Sequence, residues 1–268
     1  MIIIGERVNA TRKRIRAAVE ERDEEHIRCE IQAQDQAGAH YIDLNAGTGS
    51  GDRDRESEDL SWLVDLALDC TEKKLSLDSS DPVVLRRAAE PLGERRPMLL
   101  NSVSGERERL EVLLPFAAES GCPVIALAMG DAGIPGSVTE RLAVCESILA
   151  AAAEAGVPEE NVYLDPLVLP LSSDVSQGLV TLGTLREMKA RFPGARTTLG
   201  LTNVSHGLPS RTMVNQAFLI AALVHGLDSA ICDPTDQGIR RSITLGELVA
   251  GRDRYCRRYT RQIRRQEL

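Results

Sequence analysis

Eight short apolar runs recur along the 268-residue chain, each followed by a longer stretch with helical spacing. They stand at 2–4 (III), 40–44 (HYIDL), 74–77 (KLSL), 97–100 (PMLL), 123–128 (PVIALA), 161–164 (NVYL), 197–201 (TTLGL) and 229–232 (SAIC). Each has the length of a strand, and strands that alternate with helices build a parallel sheet. No Ser/Gly/Pro-rich linker, compositional break or repeat divides the series, so residues 1–268 read as one domain. A closed barrel of eight strand–helix units needs about 250 residues, which this chain supplies. The expected fold is therefore α/β, a single (β/α)8 TIM barrel, with an open doubly wound sheet as the alternative. The glycine-rich GTGSGD at 47–52 does not favour the open sheet. It misses the GxGxxG pattern and has Asp where a helix should open, so it reads as a loop.

The intervening stretches carry helix punctuation. Asp81-Pro82 suits an N-cap followed by the first helical position. Ser137-x-x-Glu140 has the spacing of a capping box, and Gly156 closes the same stretch. Segments 209–226 and 235–251 follow the same grammar. Aromatic residues make up only 3%, with one Trp, so Leu, Ile, Val and Ala must fill the core.

Several partner and compartment classes are disfavoured. The longest apolar run, FLIAALV at 218–224, falls short of the roughly 20 residues that span a bilayer. At the N-terminus the apolar residues precede the charges, the reverse of a signal peptide, so a cytoplasmic protein without a membrane partner is expected. Six scattered cysteines with no CxxC pair argue against a zinc ribbon or an iron–sulfur site, and for reduced, mostly buried thiols. A net charge of −8 disfavours nucleic acid. The exception is the C-terminal stretch, with seven arginines between 252 and 265. It reads either as a solvated helix face or as a patch for an anionic ligand tail or an acidic partner protein.

In such a barrel the chemistry sits where the strands end. The residues after the eight runs are Glu6, Arg7 and Asn9; Asp43 and Asn45; Asp78, Ser79 and Ser80; Asn101, Ser102 and Ser104; Met129 and Asp131; Asp165; Thr202, Asn203, Ser205 and His206; and Asp233 and Thr235. This ring is rich in Asp and Asn and poor in Lys, His and Cys. It holds no obvious nucleophile–base pair and no His cluster for zinc, so no metal is expected. Carboxylates and amides suit another task, since together they match the donor–acceptor edge of a flat nitrogen heterocycle such as a pterin or guanine.

Local explanations compete for some of these residues. Asp43 and Asn45, within DLNAG, either cap the next segment or face the site. Asp81 is the better helix cap after strand three, which leaves Asp78 unexplained. Asp165 stands between two apolar runs, where a charged form needs a specific partner. Asn203 precedes the next helix start, near Pro209–Ser210, by too much to cap it. A lone His206 is more often structural than catalytic.

Six segments then occur in order: IIIGERVNATRKRI, YIDLNAG, LSLDSSDP, LLNSVSGE, YLDPLVLP and GLTNVSHG. Together they resemble the pterin-binding methyltransferases, which include methyltetrahydrofolate:corrinoid/iron–sulfur protein methyltransferase, its catabolic relatives, and the folate domain of cobalamin-dependent methionine synthase. The resemblance implies a TIM barrel, usually a homodimer, that binds 5-methyltetrahydrofolate at its mouth. It implies that Asp78, Asn101 and Asp165 hydrogen-bond the pterin and that Asn203 reaches N5. Gly200, Thr202 and His206 belong to the same substrate-binding motif. His206 departs from the family, which often has Gln there. Asn203 and Asp165 are the implied catalytic pair, and cobalamin is implied on a separate corrinoid protein, since no DxHxxG pattern occurs here. Two rivals stand beside this reading. A dihydropteroate-synthase-like enzyme would show an NxTPDSF opening and a Lys after strand seven, both absent. A folate- or corrinoid-protein-binding subunit without turnover is the other.

Overall fold

The computed structural model describes residues 1–49, 51–93 and 96–265. Its strands are β1 (Ile2–Asn9), β2 (Tyr41–Asn45), β3 (Lys74–Asp78), β4 (Met98–Ser104), β5 (Val124–Leu127), β6 (Val162–Asp165), β7 (Arg196–Thr197) and β8 (Ser229–Cys232). All pair in parallel, in the order β7-β6-β5-β4-β3-β2-β1-β8. The ring shuts between its ends. Gly200 bridges Ile231, whose N–H donates to the Leu199 carbonyl at 2.9 Å. Ser229 Oγ donates to the Thr197 carbonyl at 3.0 Å. The (β/α)8 barrel expected from the eight runs is thus the fold, and the open sheet is not.

The outer layer comprises α1 (Lys13–Glu21), α2 (Glu24–Gln36), α3 (Arg53–Cys70), α4 (Pro82–Ala89), α5 (Arg107–Ser120), α6 (Val138–Ala155), α7 (Gln177–Arg191), α8 (Arg211–Val224), α9 (Gln237–Val249) and α10 (Arg257–Arg264). The punctuation works as expected. Asp81 accepts from the Val83 and Val84 amides with Pro82 at the first helical position. Ser137 and Glu140 close a capping box, and Gly156 ends α6 in the left-handed region at φ 88°. Aliphatic side chains from strands and helices fill the space between the layers.

The barrel lumen has two storeys. Strand side chains alternate with period two, so residues i and i+2 share a face. The lower storey is apolar: Ile4, Tyr41, Leu99, Ile125 and Tyr163 pack together, with Ile2, Leu127 and Ile231 against them. Two residues further along their strands stand Glu6, Asp43, Asn101 and Asp165. One parity therefore reads grease below and acid or amide above.

Two expectations change, and one open alternative narrows. The seventh run is a strand only at Arg196–Thr197, and Leu201–Ser205 coil into a 3-10 turn. The hydroxyls there bond locally, as Ser205 Oγ does to the Thr202 carbonyl at 3.3 Å, which competes with sheet pairing. The cysteines are not mostly buried: Cys122, Cys145 and Cys232 are, Cys70 is partly so, and Cys29 and Cys256 are exposed. The arginine-rich end packs against the base of the barrel. Arg252 donates to the Leu227 carbonyl just before β8, and Arg258 meets Glu247, which also takes the Met1 amino group. That face lies opposite the strand C-termini, so these arginines cannot reach a ligand's tail at the mouth, and α10 buries none of its residues. No described helix is long and apolar enough to cross a membrane. Part of the 47–52 loop lies outside the described residues.

Candidate active site

Register lines up the first polar groups. Asn45 stands beside Asp78, and Asp78 beside Asn101, on three neighbouring strands roughly 4.8 Å apart. One layer below, Asp43 is only 1% exposed and accepts from Ser76 Oγ at 2.6 Å and from Asn101 Nδ2 at 3.3 Å. Asp43 therefore caps nothing; it fixes the Asn101 amide and so decides which way its oxygen faces. Asn45 does make the local turn, accepting from the Gly47 amide at 3.0 Å.

Asp165 reaches the cup from the end of β6 and is 5% exposed. Its Oδ1 accepts from the Leu167 amide at 2.7 Å. Leu167 holds a left-handed φ of 66°, a conformation that costs a branched residue and persists only where neighbours fix it. Arg141 on α6 does the fixing. It is wholly buried and donates to the Pro166 and Leu167 carbonyls at 2.8 and 2.9 Å, to Pro135 at 3.0 Å and to Gln177 at 2.9 Å. Thr181 Oγ1 adds a further bond to the Leu167 carbonyl at 3.0 Å.

Glu6 comes from β1, whose register against β2 shifts between Gly5 and Val8. Such a bulge re-aims side chains and leaves backbone groups unpaired. The buried Gln34 side chain accepts from the Arg7 amide at 3.0 Å. A Cβ on Gly5 would stand 2.3 Å from Gln34 Oε1, so a larger residue there would displace the Arg7 acceptor. Arg7 is held by Glu30 at 2.6 Å and Asp233 at 2.8 Å, while Glu6 accepts from Thr202 Oγ1 at 3.2 Å.

These acids share one electrostatic condition. The ion pairs at the rim use other carboxylates, and among the described residues no Lys or Arg pairs with Glu6, Asp43, Asp78 or Asp165. Burial disfavours their charged forms. It pushes Glu6 and Asp165 up to about 7 and Asp78 up to about 6. Burial, then the charge of Asp78, raises Asp43 well above the usual carboxylate range. Near neutrality the cup can offer a carboxyl O–H or a carboxylate at closely spaced positions, together with the Asn101 amide.

The 201–205 turn forms the opposite rim. Arg211 on α8 ties it down through the Thr202 carbonyl at 2.8 Å and Ser205 Oγ at 3.1 Å. Asn203 is exposed on this turn and folds back over Gly200, where a Cβ would lie 3.0 Å from Asn203 Nδ2. His206 ends the turn, exposed, with its carbonyl accepting from Ser172 Oγ at 2.6 Å. The structure thus sets Asp78 and Asn101 side by side around Asp43, ends β6 with Asp165 on the same inward parity, and joins Thr202 to Glu6. It places Gly200 beneath Asn203, and leaves the His206 ring outside the acid cluster. Reading the sequence by runs undervalued Glu6 and Asp43. The period-two series Ile4–Glu6 and Tyr41–Asp43 is the signal that would have turned both inward.

Comparison with known proteins identifies the family. Residues 5–233 match the family model described as pterin binding enzyme, a span that opens at the β1 bulge and closes just past β8. The chain belongs to the pterin binding enzyme family. It is 35% identical over 266 residues to a methylcorrinoid:tetrahydrofolate methyltransferase of Eubacterium limosum, covering 98% of this chain and 96% of that protein. It is 30% identical over 246 residues to methionine synthase of Mycobacterium tuberculosis, covering 86% of this chain but 20% of that longer protein. Dihydropteroate synthase of Yersinia pestis, solved with a pterine-sulfa conjugate, superposes with a TM-score of 0.69 at 17% identity over 94% of this chain and 93% of that one. That last likeness is one of fold.

Proposed function

We propose that this enzyme moves a methyl group, in either direction, between N5 of 5-methyltetrahydrofolate and the cobalt of a corrinoid carried by a separate protein. The observation that carries the reading is the polar ring of the barrel mouth: Asp78, Asn101 and Asp165 stand toward the C-terminal ends of β3, β4 and β6, and Asn203 stands on the turn that follows β7. The 35% identity to a methylcorrinoid:tetrahydrofolate methyltransferase over 98% of the chain supports the same chemistry.

The ring edge of a pterin presents N–H donors and ring acceptors side by side. Asp78 and Asp165 accept from the donors, and the Asn101 amide supplies the mixed donor–acceptor face. The methylated N5 is a neutral tertiary amine and a poor leaving group. With a proton on N5, the methyl departs without its electrons. Cobalt(I) supplies both electrons of the new bond, and neutral tetrahydrofolate leaves with an N5–H. In the reverse direction the N5 lone pair attacks the methyl, and N5 then sheds its proton. Asn203 is neutral and can turn either its N–H or its oxygen toward N5, so it supports the charge that develops there, and a contact that strengthens in the transition state accelerates the step. Asp165, poised at about 7, can hold a proton for this network.

The test mixes the purified protein with 5-methyltetrahydrofolate and free cob(I)alamin and follows loss of the cob(I)alamin spectrum. Asn203→Ala should lower kcat by about 10²-fold, as removal of a transition-state hydrogen bond does elsewhere, with folate affinity nearly intact. No transfer by the wild-type protein, or an unchanged kcat in the variant, would refute the assignment.

A further inference from the structure

We infer that Glu6 is a positioning residue for this transfer: its carboxyl, through the Thr202 hydroxyl, sets how the 201–205 turn holds Asn203. This inference rests on the methyl-transfer reading above.

Among the anchors of the turn, two act on Thr202 itself. Arg211 grips its backbone at the Thr202 carbonyl, and Glu6 grips the Thr202 side chain from across the mouth, 196 residues away in sequence. The second anchor is built with care. The bulge in β1, the glycine at position 5 and the buried Gln34 that satisfies the Arg7 amide together aim Glu6 at Thr202 while Arg7 is held by Glu30 and Asp233. Because Asn203 follows Thr202 directly and its amide folds over Gly200, a small rotation of Thr202 carries the Asn203 amide with it.

The grip depends on ionisation. A carboxylate accepts strongly from a hydroxyl, whereas a protonated carboxyl accepts weakly. The groups that act on Glu6 are Thr202 on the turn, Asp233 beyond β8, Arg12 before α1 and Arg211 on α8; Asp43 on β2 and the Cys232 thiol lie close enough to feel its charge. Burial is the largest influence and Asp233 adds to it. The Thr202 hydrogen bond and the two arginines oppose it, leaving Glu6 at about 7. The anchor therefore tightens as pH rises through neutrality.

The test has one arm that does not use activity. Full-length protein labelled with carboxyl-¹³C glutamate should show a glutamate titrating near 7, and its signal should vanish in Glu6→Gln. Asp165 is unlabelled and cannot interfere. In Thr202→Val the midpoint should move to higher pH, because the lost donor favoured the charged form. In the kinetic arm, Glu6→Gln should lower kcat by about tenfold or more while the Kd for 5-methyltetrahydrofolate changes little, as misplacement of a reacting-centre contact does. It should also flatten the limb of the kcat–pH profile that rises through neutrality. Glu6→Asp should restore part of that limb. A Glu6 that titrates with the other glutamates, or a Thr202→Val variant with unmoved midpoint and unchanged kcat, overturns the inference. If Glu6→Gln fails to fold, Thr202→Val decides both arms. Should wild-type protein transfer no methyl group, the functional reading falls, and the titration arm still reports whether Thr202 and Glu6 are coupled.

Discussion

The two ends of the barrel treat buried carboxylates in opposite ways. At the base, Glu247 is 3% exposed and meets two cations, Arg258 and the Met1 amino group. At the mouth, Asp43 and Asp165 are buried to a similar degree and form no ion pair. Burying a charge is costly unless a partner repays the lost hydration. The base finds its partners within the chain. The mouth meets its acids only with hydroxyl and amide donors and leaves them partly protonated. On the proposed reading, the N–H groups of a bound pterin supply the remaining partners. The difference separates a carboxylate that holds the fold together from one kept ready for a ligand.

The largest effect should follow from breaking the support of the mouth. Arg141→Met removes four hydrogen bonds, to the Pro135, Pro166 and Leu167 carbonyls and to Gln177, and leaves the Leu167 carbonyl with Thr181 alone. Urea unfolding should show a loss of about 3 kcal/mol or more, and folate binding should weaken as Leu167 relaxes and Asp165 loses its amide partner. Next comes a mirrored pair. Asp78→Ala should weaken 5-methyltetrahydrofolate binding by about 1–3 kcal/mol, measured by calorimetry, with little change in unfolding. Glu247→Ala should do the reverse, lowering stability by about 1–3 kcal/mol with folate affinity unmoved. If both variants alter both properties, the division between the ends is wrong.

Stability against pH sharpens the same contrast. Glu6 and Asp165 are raised to about 7 and Asp78 to about 6. A carboxyl whose folded value is raised keeps its proton longer in the native state. Between about pH 4 and pH 7 the folded protein then binds more protons than the unfolded chain, so these groups make stability fall as pH rises through that window. The ligand-free protein should melt at a higher temperature at pH 5.5 than at pH 8. Combining Glu6→Gln with Asp165→Asn should flatten that slope, and a slope unchanged by the pair would contradict the desolvated state assigned to the mouth. The smallest structural perturbation is Gly200→Ala. The backbone there, φ −80° and ψ 97°, suits alanine, so unfolding should change by under about 1 kcal/mol. The new Cβ would press on the Asn203 amide, and kcat should fall several-fold with KM nearly unchanged.

Much of the fold was legible because strands, helices and caps are local. Asp81-Pro82, Ser137 with Glu140, and Gly156 each act within four residues, and each does what its spacing implies. The site was legible in part. Asp78 and Asp165 end their strands, and Asn101 lies within β4 beside Asp78. The seventh run was over-read because β-branched residues argue for a strand, while the hydroxyl and amide side chains that follow bond to their own backbone. Asp43 looked like a cap because Asx residues usually are; only the neighbouring Ser76 and Asn101 show that it organises the cup.

By itself the sequence determined eight strand–helix units, several helix caps and the polar character of the strand ends, since all of these follow from periodicity and nearest neighbours along the chain. The tertiary structure decided that Asp43 lies between Ser76 and Asn101, that Glu6 faces Thr202, and that the arginine-rich end sits beneath the barrel and away from its mouth. Those relations hold between residues far apart in the chain, and they exist only once the ring has closed and the β1 bulge has set the direction of its side chains.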